Sequence, residues 1–160
     1  MRRNKGFSLI ELLIVVAIIL VIAAIAVPSF LRSRMAANES AAVGALRTLN
    51  TAQISYTSAY PTVGYANSMG LLGGTSCNPP SSASACLIDT ALAGGTKSGY
   101  VFTLPSASVT GTPASTYNVT ATPLAPNQTG TRYFCSFADA VVRSSAATIA
   151  TCDTTVAPLQ

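Results

Sequence analysis

The chain offers few side chains that could do chemistry, and the one most out of place is Glu11. It stands directly before sixteen consecutive apolar residues, Leu12 to Val27. A carboxylate held within a bilayer costs about 2.5–3.5 kcal/mol even on lenient insertion scales, so it needs compensation. Two sources of compensation are close by. A helix beginning at Phe7 would place Glu11 in its first turn, where the macrodipole favours negative charge. A free amino group at Phe7 would supply a cation, and it exists only if the chain is cut between Gly6 and Phe7.

The remaining candidates are structural in type. Cys77, Cys86, Cys135 and Cys152 form an even set behind an export-type segment, which points to an oxidising compartment and two disulfides. Four cysteines allow three pairings. The local one, Cys77–Cys86 with Cys135–Cys152, is expected. Zinc would need closer pairs such as C-x-x-C, and the chain has no histidine. The same lack deprives triads and general acid–base catalysis of their commonest participant. Asp89, Asp139 and Asp153 are single carboxylates in loops, and two acids near the C-terminus give poor support for calcium, which takes six or more oxygens. No glycine-rich phosphate loop follows a strand. No enzyme activity, cofactor or metal is expected.

Gly6-Phe7-Ser8-Leu9-Ile10-Glu11-Leu12 resembles the prepilin signature of type IV pilins and type II secretion pseudopilins. The resemblance is contiguous over about the first thirty residues. It implies cleavage between Gly6 and Phe7 by a prepilin peptidase and N-methylation of Phe7 by the same enzyme. It also implies pairing of Glu11 with the Phe7 amine of a neighbouring subunit during assembly. Pro28 matches the usual kink position of that family. Two plainer readings compete. An ordinary signal peptide could be cut after Ala24-Ile25-Ala26, and an uncleaved anchor needs no cut at all. Neither accounts for Glu11 beside Gly6-Phe7.

The elements that must carry these residues follow from pattern. Arg2, Arg3 and Lys5 precede the apolar run, so the start of the chain is expected to stay in the cytoplasm. From Phe7 to Leu31 the chain would make about 37 Å of helix, enough to cross a hydrocarbon layer of about 30 Å. Pro28 should kink or locally melt the helix near residues 24–28. Beyond it the alanine-rich sequence is helical again, with an apolar stripe Ala42, Leu46, Leu49, Ala52, Tyr56 and an opposite side of Arg34, Asn38, Arg47 and Asn50. Proline and glycine then break residues 61–99 into loop, with room for a helical turn around Ala85–Leu92. The period changes to two at residues 100–104, 116–122 and 132–137, and residues 140–143 offer a fourth strand.

The fold class expected is therefore α+β: a long N-terminal helix, apolar and then amphipathic, packed against a small antiparallel sheet of three or four strands, as in a pilin. The divisions are a leader 1–6, a transmembrane and filament-core helix half 7–31, an amphipathic half 32–58, a variable loop region 59–99, and a sheet with a C-terminal disulfide loop 100–160. Net charge is +4, but from Phe7 onward six basic residues face five acidic ones, leaving no basic face for nucleic acid. The function expected is a pilin that polymerises into a helical surface filament. Its partners would be further copies of itself, the membrane, a prepilin peptidase, and an assembly platform with its ATPase. The precursor would sit in the inner membrane and the product on the cell surface. A type II secretion pseudopilin and a membrane-anchored binding module are the alternatives.

Overall fold

The structure, a computed structural model, describes residues 7–74, 77–106 and 110–159. The chain divides into two compact units, Met1–Arg34 and Met35–Gln160. Helix α1, Leu9–Ala59, contributes to both.

In the first unit no described residue covers the helix. From Phe7 to Arg34 every residue is exposed except Ala23, which is half-buried. By length and composition this stretch can cross a membrane. Residues 24–28 are helical without a break, so Pro28 does not melt the helix there. Its missing N–H still leaves the Ala24 carbonyl without the usual helical donor.

The second unit is built on the other part of the same helix. Glu39, Ala42, Val43, Ala45, Leu46, Leu49, Asn50, Ala52, Gln53 and Tyr56 are buried, a face that recurs every three to four residues. It includes the expected apolar stripe. It also includes Asn50, expected on the opposite side, while Asn38 is half-buried. Against this face lies a five-stranded antiparallel sheet in sequential order: β1 Thr96–Lys97, β2 Tyr100–Thr103, β3 Asn118–Pro123, β4 Tyr133–Phe137 and β5 Arg143–Ser145. Tyr100, Phe102, Val119, Ala121 and Phe134 from the strands join Leu46, Leu49 and Tyr56 in one core.

The sheet differs from expectation at its two margins. β1 is only two residues long and was not expected. It pairs with β2 through Ser98-Gly99, both at positive φ, the two-residue turn whose twist suits a tight hairpin. At the other margin, strand character was expected over residues 140–143 but begins at Arg143. Ala140 takes positive φ, and its N–H donates to the Phe137 carbonyl, so the chain turns before it can pair. Beyond β5 the tail continues the hydrogen bonding: Ser144 N–H donates to the Ala157 carbonyl and Leu159 N–H to that of Val142.

The loop region holds two single-turn helices, α2 Met69–Leu72 and α3 Thr90–Ala93. α2 was not anticipated, and α3 is shorter than the turn expected from Ala85. Residues 85–87 are instead bonded to the carbonyls of Leu71, Leu72 and Gly73, and Asp89 caps α3 by accepting from the Leu92 N–H. Cys77–Cys86 and Cys135–Cys152 are disulfides. The second fastens the C-terminal loop over the outer face of the sheet, where Cys135, Ile149 and Cys152 make a second small core with Tyr133, Phe137 and Val156. Closing a loop of this length contributes about 3 kcal/mol.

Leu49 is fully buried at the centre of the helix–sheet core. Leu49→Ala is expected to lower the unfolding free energy by about 2–5 kcal/mol, read from the urea midpoint at constant m-value.

Candidate assembly site

At the amino terminus, Ser8 precedes the first helical residue and Glu11 lies three positions on, the S-x-x-E arrangement of a capping box. Its reciprocal half is formed: the Ser8 N–H donates to Glu11 Oε2 at 3.0 Å. The Leu12 N–H donates to the Ser8 carbonyl at 3.2 Å. Glu11 is thus held in the first turn, beside N–H groups that have no helical acceptors. Phe7, one turn before it, is 76% exposed. Among the described residues Glu11 makes no ion pair. Gly6 and the leader 1–6 lie outside the described residues.

The second unit carries a set of polar contacts that periodicity could not reveal, because each joins the helix to a distant loop. Glu39 is the strongest. Its Oε1 accepts from the Thr131 N–H (2.8 Å), the Thr131 hydroxyl (3.0 Å) and the Arg132 N–H (3.2 Å), and its Oε2 accepts from Arg132 Nε (2.8 Å). Burial pushes this carboxyl up. The Thr131 amide, the Arg132 side chain and the Thr131 hydroxyl together more than offset that, so it rests below its ordinary value. Beside it Asn38 donates to the Thr129 carbonyl. Further along, Asn50 donates to the Ala140 carbonyl and accepts from the Tyr117 hydroxyl, which burial holds protonated well above the usual phenol range. Gln53 grips the backbone of Ala66 with both ends of its amide, and Tyr56 donates to the Ser82 carbonyl. An acid or amide embedded in an otherwise apolar helical stripe is the only signal the sequence gives of them.

The loop acids are all engaged locally. Asp89 pairs with Lys97, Asp139 takes both terminal nitrogens of Arg143, and Asp153 accepts from the Thr155 N–H and hydroxyl. Among the described residues no cluster of three or more histidine, cysteine or acidic side chains could hold a metal ion.

The family profile described as the prokaryotic N-terminal methylation motif matches residues 1–27. The chain is 52% identical over 54 residues to the type IV major pilin protein PilA of Myxococcus xanthus, covering 34% of this chain and 24% of that one. It is 55% identical over 40 residues to the type IV wide pilus major component PilA4 of Thermus thermophilus, covering 25% of this chain and 30% of that one. The amino-terminal segment is similar to that of type IV pilins. The chain thus spans about a quarter to a third of the length of the curated pilins it matches. No solved structure matches it significantly. A long helix with an antiparallel sheet laid on its amphipathic part is nevertheless a pilin-like architecture.

The Glu39 contacts make the head sensitive to acid. A carboxyl whose folded pKa lies below its unfolded value, near 4.5, gives its full contribution above about that pH and loses it as the pH falls through the lower folded value. Glu39→Gln is expected to reduce stability at neutral pH by about 1–3 kcal/mol, since it weakens buried donors, and to flatten the fall in stability below pH ~4.5. Urea midpoints of the variant and the parent across that range provide the check.

Proposed function

We propose that this chain is a pilin precursor, cut between Gly6 and Phe7 by a prepilin peptidase, methylated on the new Phe7 amine, and polymerised into a helical surface filament. The observation that carries this reading is Glu11. It is fixed by its own capping contact one turn from Phe7, at the head of an apolar segment that no part of the described structure covers. The methylation motif over residues 1–27 and the two relatives named as major pilus components support it.

The mechanism follows from solvation. While the segment lies in the inner membrane, with the basic leader on the cytoplasmic side, lipid covers its apolar surface. Extraction by an assembly platform and its ATPase removes the lipid, and the same surface is then covered by equivalent segments of other copies. Cleavage converts the Phe7 peptide nitrogen into a cation, and pairing with the Glu11 of a neighbour neutralises a charge that would be costly in an apolar fibre core. Pro28, which removes one helical hydrogen bond, is the place where the packed segment bends. The head, closed by two disulfides, stays on the outside of the fibre.

Two outcomes are expected together. Mature protein begins at a methylated Phe7 by N-terminal sequencing and mass analysis. Glu11→Val leaves that cleavage intact but lowers the yield of sheared filaments on the order of tenfold, the effect of about 1.4 kcal/mol lost per subunit contact. A mature chain that keeps its first six residues, or a parent-level filament yield in the variant, would falsify the reading.

A further inference from the structure

Residues 35–160 contain four bases, Arg47, Lys97, Arg132 and Arg143, and four acids, Glu39, Asp89, Asp139 and Asp153. Three pairs form within the chain: Lys97 with Asp89, Arg132 with Glu39, and Arg143 with Asp139. Arg47 and Asp153 are left over. Both are exposed, and neither makes an ion pair with any described residue.

The two leftover charges have different surroundings. Arg47 lines a groove of about 290 Å³ with Glu39, Ser40, Val43, Arg132 and Leu159. The Glu39 carboxylate in that groove already accepts four hydrogen bonds. Arg132 gives its Nε to Glu39, and its guanidinium carbon stands 5.4 Å from the centre of the Phe134 ring. The groove is therefore lined by two guanidinium groups and one saturated carboxylate, with the apolar side chains of Val43 and Leu159. That arrangement suits a further carboxylate, which arginine receives through paired N–H donors. Asp153 stands just past Cys152, exposed, with its Oδ1 accepting from the Thr155 N–H and hydroxyl.

We propose that this groove receives the Asp153 carboxylate of a second copy of the chain, with Arg47 as its main partner. The occupant is chosen by charge: among the described head residues Asp153 is the acid and Arg47 the base without an ion pair, and Asp153 does not line the Arg47 groove. Two such patches on one copy can be met by two different neighbours, a heterologous contact that repeats from copy to copy, and the filament proposed above requires it to run along an open helix and not to close within a pair. A pair at the rim of an interface sets register and excludes wrong partners more than it adds affinity. The inference rests on the polymerisation proposed above and adds to it a contact between heads.

The test uses the full-length chain expressed in a host that assembles it, with processed subunit and sheared filaments measured separately. Arg47→Glu and Asp153→Arg are each expected to lower filament yield on the order of tenfold while cleavage at Phe7 and subunit level stay at parental values. The double reversal should restore the yield to within about twofold of the parent. Single variants that assemble normally, or a double variant no better than either single, would overturn the contact. A second measurement does not depend on charge reversal. In Arg47→Lys filaments, zero-length carbodiimide coupling should join the position-47 amine to Asp153 of a neighbouring copy, and filaments lacking that cross-link also overturn it. A parent chain that is processed but never polymerises would instead sink the filament reading itself.

Discussion

One helix face decides how the head is organised. Over residues 38–56 it must bury an apolar stripe under the sheet and also hold loops that have little core of their own. Hydrophobic burial accomplishes the first but is non-directional, so it cannot by itself fix where each loop lies. Direction comes from polar side chains inside the stripe. Glu39 holds residues 131–132, Asn50 holds Ala140, Gln53 holds Ala66 and Tyr56 holds Ser82. Each contact satisfies buried donors or acceptors that would otherwise cost about 1–3 kcal/mol apiece. The helix is thus both the floor of the core and the frame to which the loops are tied.

That double use explains what could be read from the sequence and what could not. The apolar run, the stripe from Ala42 to Tyr56 and the three main strands follow from periodicity, because their burial is set by one repeating geometry. Asn50 does not follow from periodicity, because its burial is decided by partners 67 and 90 positions away. The two-residue β1 is too short to show a period of two and depends on the Ser98-Gly99 turn. The last strand was displaced because a positive-φ alanine, which sequence does not announce, ends the preceding turn. At the amino terminus the order is reversed. Glu11 was conspicuous from the outset, since a lone acid beside sixteen apolar residues has no ordinary packing role, and the contact with Ser8 adds its local geometry.

The outer face of the sheet is more than a solvated surface. The C-terminal loop, fastened by Cys135–Cys152, covers it with Ile149 and Val156, and Asn118 donates to the Cys152 carbonyl beneath. This is why four successive residues of β3, Asn118 to Ala121, are buried where alternation would expose every second one. A small head with little core thereby gains a second layer.

The margins of the sheet carry a last implication. On one side stands a strand of two residues that includes Lys97; on the other, the backbone is already occupied by residues 157–159. Neither side offers a long free row of amide and carbonyl groups for another chain to extend. The heads are therefore poor templates for cross-β stacking. The two ends of the sheet thus guard the head against edge-to-edge association with another copy.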